Sequence, residues 1–224
     1  MSRLVKIVLA VAVLGVAALA GIYFLFFNED SPDEFELTPV EDQAEPADGD
    51  LAGTWTVAAG SEAGYRVREK LANLPAQSDA VGRTQDVTGT IVIDDSSVSA
   101  ASFEVQLATL QSDEERRDNR VRSALQTDQF PTATFELTAP IDLADPGAES
   151  ARVEAVGDLT IHGVTRSVTI PIEAARNGTQ LELVGAITFP MADYGITPPS
   201  IGGFVSVEDD ATLEFKILLE QAQQ

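Results

Sequence analysis

The sequence has no cysteine, a single histidine and few positive charges. Without cysteine, the protein has no disulfide, no thiolate metal site and no cysteine nucleophile. One histidine, His162, is too few for the usual zinc site, which takes several, and neither a metal nor another cofactor is implied. The 14 Lys and Arg residues stand against 36 acidic ones, which gives a net charge of −22. Nucleic acid is therefore not expected as a partner, because phosphates bind to basic surfaces.

Charge is also missing from one long stretch near the N-terminus. Residues 7–27 contain no charged side chain, and a helix needs roughly 20 apolar residues to cross a bilayer. Arg3 and Lys6 precede the stretch and acids follow it, so residues 1–27 are expected to form a cytoplasmic N-terminus and a single-pass transmembrane helix. The rest of the chain would then lie outside the cytoplasm. A cleaved signal peptide is the alternative, because Ala18-Leu19-Ala20 resembles a cleavage site.

Residues 28–50 are acidic and contain neither lysine nor arginine. Such a segment cannot bury enough apolar surface to offset the entropy of the chain, so we expect a disordered, self-repelling linker. The remaining residues, 51–224, are numerous enough for one domain with its own core.

Apolar and polar residues alternate through most of residues 51–224. Alternation is typical of strands with one buried face, and short turns without helices between them indicate an antiparallel sheet. A sheet of this many strands usually loses its edges by closing, so we predict an all-β fold, an antiparallel barrel of about eight strands. The predicted strands are 54–58, 65–70, 87–93, 103–107, 133–137, 153–161, 164–172, 181–189 and 205–220.

One short helix interrupts this pattern. Ser112 and Glu115 have the spacing of a capping box, and the residues from 116 to 127 follow a helical period. Val121 and Leu125 share the apolar face of this helix with Arg117. The arginine either extends its head into water at the end of the apolar stripe, which is the commoner arrangement, or reaches a polar group inside.

The histidine lies in a predicted hairpin. His162-Gly163 separates two strand runs, and the glycine supplies the positive φ that a two-residue loop requires. His162 is then expected at the rim, facing away from the apolar interior. A catalytic histidine needs an oriented nucleophile and partner, and only Thr160 and Asp158 lie near on the same face. The pattern therefore favours a hydrogen-bonding role and a protein that is not an enzyme.

Several segments resemble the YceI-like family. The stretch GDLTIHGVTRSVTI, residues 157–170, is similar to the signature hairpin of these secreted bacterial proteins, which have a lipocalin-like barrel and bind polyisoprenoid lipids. The resemblance spans residues 53–219 and implies a lipocalin-like barrel that binds a polyisoprenoid or similar long apolar lipid in the bacterial cell envelope. Carriage, sequestration or tolerance of envelope stress are the implied roles, and the membrane anchor indicates a tethered branch of the family. The other similar segments are Thr54-Trp55-Thr56-Val57, Ser61-Glu62-Ala63-Gly64-Tyr65-Arg66-Val67, Arg117-Asp118, Phe130-Pro131-Thr132-Ala133-Thr134-Phe135 and Asp193-Tyr194-Gly195-Ile196.

Candidate ligand-binding residues follow from the alternation, from the resemblance and from the long loop 194–204. That loop is either a lid over the mouth of the barrel, which would bring Tyr194 and Phe204 to the ligand, or a turn on the outside. Arg117, Arg120, His162 and Tyr194 are candidates for a polar head at the rim. The apolar candidates inside the barrel are Phe103, Phe135, Leu159, Ile161 and Phe189.

Two other functions stay open from the sequence. The same apolar side chains can fill the barrel completely, and the protein would then be an envelope interaction or structural module without a ligand. A hydrolase or isomerase that uses His162 is the less favoured alternative. The sequence also leaves open whether the protein forms a homodimer.

Overall fold

The structure is a computed structural model that describes residues 31–38, 50–71, 77–94, 96–143, 150–177, 179–201 and 205–222. The predicted transmembrane segment, residues 7–27, lies outside these ranges, as does Phe204. Within them, no helix has the length and apolar character that crossing a bilayer requires.

The described residues form a twelve-stranded antiparallel sheet, one α-helix and two 3₁₀ turns, Leu107–Thr109 and Met191–Tyr194. The helix, α1, spans Glu115–Ala124. The strands are β1 (Gly53–Val57), β2 (Glu62–Leu71), β3 (Gln77–Thr84), β4 (Val87–Asp94), β5 (Ser97–Gln106), β6 (Thr132–Leu137), β7 (Ile141–Asp142), β8 (Ser150–Ile161), β9 (Val164–Asn177), β10 (Gln180–Pro190), β11 (Ser200–Ile201) and β12 (Val205–Gln221).

Eight of these strands close into a barrel. The order is β1-β4-β5-β6-β8-β9-β10-β12, and β12 pairs with β1 again through Trp55 and Gln221. β2 continues along the same edge of β12 beyond β1, and β3 pairs with β2. The pairing of β1 with β12 over three residue pairs closes the ring. The predicted all-β antiparallel barrel of about eight strands with one short helix is confirmed.

The barrel has two different ends. The helical end carries α1, the His162-Gly163 hairpin between β8 and β9, and the turn Met191–Tyr194 after β10. At the opposite end lies Trp55, which is 2% exposed and donates its indole N–H to the carbonyl of Leu51 at 2.8 Å. The two ends therefore differ in character, with a helix and loops at the helical end and a buried tryptophan in the core of the opposite end.

The sequence missed three strands, which are β3 and the two-residue strands β7 and β11, and it misplaced the start of the helix. β3, Gln77–Thr84, has no alternating pattern, and it forms because its backbone pairs with β2 over eight positions. The capping box is wrong, because α1 begins after Glu114, which makes no side-chain capping bond. The Ser112 hydroxyl lies 2.7 Å from Asp118 Oδ1 instead. A buried carboxylate within the helix competes for the hydroxyl that the local spacing assigned to the cap.

Part of the expected disordered linker is ordered. Residues 31–38 lie against the outer wall of the barrel, where the Pro32 carbonyl accepts a hydrogen bond from Arg66 at 2.8 Å. The Arg83 guanidinium lies 3.8 Å from the centre of the Phe35 ring. Composition predicts disorder because the linker has little apolar surface to bury, but it does not reveal polar partners that lie far away in the sequence.

Candidate functional site

Three apolar cavities lie in a row along the inside of the barrel. From the helical end to the opposite end their volumes are about 130, 80 and 110 Å³, and they are called here the upper, middle and lower cavities. The upper and middle cavities share Ala133 and Leu213 in their walls, and the middle and lower cavities share Ile172 and Leu183. The barrel interior is therefore a divided channel and is not completely filled by side chains.

The predicted apolar candidates line this channel. Ile161 and Phe189 border the upper cavity, Leu159 borders the middle one, and Phe103 and Phe135 border both the middle and the lower cavities. Their positions follow from the alternation of each strand, which turns every second side chain inward. The periodicity alone thus placed these five residues on the inner face.

Phe103 and Phe135 form the partition between the middle and lower cavities. They are directly opposite each other in the pairing of β5 with β6, and both rings border both spaces. A channel running the full length of the barrel therefore has to pass these two rings.

Glycines in neighbouring strands let aromatic rings lie flat on the barrel wall. Gly185 is opposite Phe215 in the pairing of β10 with β12, and a Cβ added there would stand 2.5 Å from Phe215 Cζ. Gly89 is opposite Phe103, and an added Cβ would lie 2.5 Å from Phe103 Cδ1. Each ring occupies the space that a side chain would take, so the rings extend less far into the channel.

α1 and the segment after β10 cover the upper cavity. Val121 and Ala124 of α1 and the next residue, Leu125, line it from one side, and Ile196 and Pro199 from another. All five are apolar, so the cover continues the apolar lining of the barrel. The sequence leaves open whether the loop 194–204 is a lid or an outer turn; its first part borders the upper cavity, whereas Phe204 lies outside the described residues.

A small cavity with polar side chains adjoins the upper one. It has a volume of about 30 Å³, and its border combines Tyr65, Glu69, Arg117 and Arg120 with five apolar residues, Val67, Ala80, Val121, Pro199 and Val207. Arg117 Nη2 lies 3.5 Å from Glu69 Oε2, and Nη1 binds Asp113. Arg117 thus reaches a polar group inside instead of extending into water. This small cavity is called here the polar corner.

Two polar atoms of the polar corner lack a partner. The Tyr65 hydroxyl and Arg117 Nε are buried and make no hydrogen bond within the described part of the chain. Burial raises the pKa of Tyr65 well above its usual value, although Arg117 acts against this. Burial lowers the pKa of Arg117, but Glu69 and Asp113 raise it more, so that the net shift is upward. Both side chains therefore keep their protons and can donate hydrogen bonds to an acceptor in the cavity.

His162 and Tyr194 hold the helical end together. His162 Nδ1 lies 3.0 Å from the Tyr194 carbonyl, and Nε2 lies 2.8 Å from Gln126 Nε2. The carbonyl only accepts, so Nδ1 carries the proton and Nε2 accepts from the Gln126 amide. The Tyr194 ring is 1% exposed and packs edge-on against Phe189. Neither His162 nor Tyr194 borders the three cavities or the polar corner.

Sequence reasoning missed Tyr65 and Glu69 as members of the site. Both lie on β2, and the polar corner forms only because β2 passes below α1. The available signal was an aromatic residue in a predicted strand at the same end as Arg117, but nothing in the local pattern indicated a buried hydroxyl without a partner.

Comparison with known proteins gives one domain match along most of the chain. The sequence pattern of the YceI-like domain matches residues 55–219. A UPF0312 protein of Vibrio vulnificus is 28% identical over 137 residues, which are 57% of this chain and 70% of that protein. A UPF0312 protein of a Shewanella species is 31% identical over 147 residues, 61% of this chain and 74% of the other.

Solved structures share the fold at low sequence identity. A polyisoprenoid binding domain from Saccharophagus degradans, implicated in plant cell wall breakdown, has a TM-score of 0.59 at 15% identity and covers 75% of this chain and 98% of its own. BcnA of Burkholderia cenocepacia has a TM-score of 0.52 at 20% identity and covers 70% of this chain and 95% of its own.

Proposed function

The chain belongs to the YceI-like family, and on that premise we propose that its barrel binds the polyisoprenoid tail of a lipid outside the cytoplasm. The observation that carries the proposal is the row of three apolar cavities inside the closed barrel. The likeness of the fold to a polyisoprenoid binding domain supports the same ligand class.

The cavities match repeated five-carbon units in size. A dry apolar cavity of about 150 Å³ holds one benzene molecule, so a cavity of 130 Å³ holds about one isoprene unit. Each buried unit contributes about 3 kcal/mol, and association costs roughly 4–15 kcal/mol. One unit in one cavity is therefore too little for stable binding. A tail must occupy several cavities, which requires Phe103 and Phe135 to let it pass.

The polar corner is the proposed position of the head group. Arg117 and Arg120 carry two positive charges. Glu69 and Asp113, which both bind Arg117, carry two negative charges, so these four side chains have no net charge. An uncharged head with a carbonyl or hydroxyl oxygen fits this balance better than a diphosphate. The Tyr65 hydroxyl, which is buried without a partner, would donate to that oxygen.

The membrane tether is part of the proposal. Residues 7–27 would anchor the chain with a cytoplasmic N-terminus, and the barrel would take up, carry or sequester lipids on the other side. An anchored barrel encounters its ligand in two dimensions, which suits a lipid that is nearly insoluble in water.

Mass spectrometry of organic extracts tests lipid binding. Residues 31–224 contain every strand of the barrel and every described contact, so this segment would be exported by a bacterial host and purified without detergent. We expect a prenyl lipid at near-stoichiometric amounts, retained from the host or taken up on incubation. Failure to retain or bind prenyl lipids would overturn the proposal in favour of an interaction module without a ligand.

A pair of alanine variants provides the control. Ala133 lies between the upper and middle cavities, and Ala133→Leu would block the channel there. Ala100→Leu adds the same atoms on the exposed face of β5. Loss of lipid from the first variant and not from the second places the lipid inside the barrel.

Catalysis by His162 has little support in the geometry. Both ring nitrogens are engaged, one by the Tyr194 carbonyl and one by the Gln126 amide, and neither partner is a nucleophile or an acid. His162 therefore fits the role of fastening the hairpin to the rest of the helical end.

A further inference from the structure

Residues 31–38 form a strap across the outside of the barrel. The Ser31 hydroxyl donates to the carbonyl of Asp79 on β3. At the other end, Thr38 donates its backbone N–H to Glu182 Oε1 on β10 at 2.8 Å, and its hydroxyl lies 3.1 Å from the same oxygen. Between these ends the strap crosses β2 and β12, where it contacts Arg66 and Lys216.

The outer wall under the strap contains buried charges. Glu182 and Glu214 lie on the outward face of their strands, yet each is only 2% exposed. Glu214 binds Arg66 at 3.0 Å and Arg83 at 2.7 Å, and Glu182 binds Lys216 at 2.7 Å. Buried carboxylates are costly unless they are paired and hydrogen-bonded, and Thr38 adds hydrogen bonds to Glu182. The strap therefore lies on charged side chains that hydrogen-bond to it: Arg66 and Lys216 donate to its backbone carbonyls, and Glu182 accepts from Thr38.

The strap has a defined direction. Asp79 is the third residue of β3, which begins at the helical end, whereas Glu182 is the third residue of β10, which begins at the opposite end. The strap thus enters at the helical end with Ser31 and runs toward the opposite end. Ser31, the N-terminal residue of the strap, therefore lies at the helical end of the barrel.

The proposed membrane anchor ends just before the strap. Only residues 28–30 separate position 27 from Ser31, and four chain steps span at most about 14 Å. A free linker over residues 28–50 would allow a separation of roughly 80 Å and any orientation. Docking of the strap removes most of this freedom.

We propose that the strap holds the barrel with its helical end facing the lipid bilayer and close to it. The inference rests on the proposed membrane anchor and names the partner of the helical end, which is the surface of the membrane. The upper cavity and its cover of α1 would then open toward the source of the lipid.

The charge of α1 agrees with this orientation. α1 carries Arg116, Arg117, Arg120 and Arg122, four of the 14 basic residues of a strongly acidic chain. Within the described part of the chain, Arg116 and Arg120 form no ion pair with an acid. Basic side chains are attracted to anionic headgroups, whereas the acidic remainder of the domain is repelled by them. Its four arginines stand against two acids, Glu115 and Asp118, so α1 is a basic element in a chain with a net charge of −22, and it would face the bilayer.

Energy transfer to membrane lipids tests the orientation. The protein has no cysteine, so single variants accept one label each: Asp128→Cys beside α1, and Asp94→Cys at the end of β4 on the opposite end. The full chain would be reconstituted into phosphatidylcholine–phosphatidylglycerol vesicles that contain an acceptor lipid. Strands of about ten residues place the two labels roughly 25 Å apart in height, and we expect transfer from Asp128→Cys to be at least about twofold higher.

Strap variants show whether the strap causes the orientation. Phe35→Ser with Thr38→Ala removes the contacts to Arg83 and Glu182, and we expect the two labels to become equal. Glu34→Ser, at an exposed strap position, is the matched control and keeps the difference. Equal transfer from the two labels in the native chain, or higher transfer from Asp94→Cys, would overturn the inference.

The orientation of the barrel and its binding of lipid are tested by separate measurements. A chain that does not float with vesicles lacks the anchor, which overturns the orientation while the extracts of residues 31–224 still report on the cavities. Conversely, extracts without lipid would overturn lipid binding, while higher transfer from Asp128→Cys than from Asp94→Cys would still support the orientation.

Discussion

At the scale of single residues, the Tyr65 hydroxyl is the most specific feature of the site. It is buried, has no hydrogen-bond partner among the described residues and borders both the upper cavity and the polar corner. An unpaired buried donor costs free energy, which a ligand oxygen recovers on binding. We therefore expect Tyr65 to make the affinity for ligands with an oxygen-bearing head higher than the affinity for pure hydrocarbons.

Tyr65→Phe removes this donor and little else. We expect the affinity for a prenyl alcohol or prenyl quinone to fall about tenfold, corresponding to one hydrogen bond of about 1.4 kcal/mol. Titration with such a lipid and with squalene, which has no oxygen, measures the effect. Squalene should bind equally to both proteins, and an equal loss for both ligands would show that the change acts through packing.

A methyl group at Gly185 should push the Phe215 ring into the channel. The added Cβ would stand 2.5 Å from the ring, and overpacking of this kind costs about 1–3 kcal/mol. We expect Gly185→Ala to lower both the free energy of unfolding and the capacity for lipid. Phe215→Leu should relieve the part of this loss that comes from the ring, while the 2.9 Å approach of the added Cβ to the Pro171 carbonyl oxygen remains. Strictly additive losses in the double-mutant cycle would contradict the proposed contact with the ring.

At the scale of elements, we expect α1 to be the part of the cover over the upper cavity that opens. Its apolar face contributes Val121, Ala124 and Leu125 to the cavity, and the Met191–Tyr194 turn is fastened by His162. Asp118 secures the start of α1, because its carboxylate accepts hydrogen bonds from the backbone N–H and the hydroxyl of Ser112. Elements held by few contacts open locally before the whole protein unfolds.

Asp118→Ala should loosen α1 and speed the exchange of lipid. We expect faster uptake and faster release, with a smaller change in the equilibrium affinity, because the opening is needed for both steps. Stopped-flow measurements with a fluorescent prenyl lipid would report the rates. Asp128→Ala, an exposed residue after the helix, is the control and should leave the rates unchanged.

At the scale of the whole molecule, the burial of two tyrosines makes the stability of the barrel depend on pH in the alkaline range. Tyr65 and Tyr194 are the tyrosines of residues 31–224, and burial raises the pKa of both above the usual 10.0. The unfolded chain releases these protons near pH 10 and the folded chain retains them. The contribution of these two side chains to the free energy of unfolding is therefore fully present below pH 10, and it is lost as the pH rises further.

An alkaline titration of residues 31–224 should show this coupling. We expect phenolate absorbance to appear together with the loss of the β-sheet circular dichroism. Phenolate that forms near pH 10 in an intact barrel would contradict the burial of the two hydroxyl groups.

The strap should also contribute to the stability of the whole domain. Starting the chain at residue 51 removes the strap and leaves Glu182 without its two hydrogen bonds from Thr38, and bonds to charged groups contribute about 1.5–3 kcal/mol each. We expect residues 51–224 to unfold in urea with a free energy lower by about 2 kcal/mol or more than residues 31–224. Equal stability would mean that the strap is not bound in solution.

The alternating pattern was sufficient to determine the barrel and its inner face. Two-residue periodicity placed Phe103, Phe135 and Ile161 inward because successive side chains of a strand point to opposite faces. The short turns determined the antiparallel order, and the His162-Gly163 pair determined the hairpin between β8 and β9. These features depend on neighbours in the sequence, and local rules suffice for them.

Only the tertiary structure decided the features that join distant segments. The polar corner brings Tyr65 and Glu69 of β2 to Arg117 of α1, and the strap brings Thr38 to Glu182, 144 positions away. The division of the channel depends on how far each ring extends across the lumen, which the glycines opposite the rings determine. Periodicity shows which face a side chain occupies, whereas the space left between side chains depends on packing across the whole barrel.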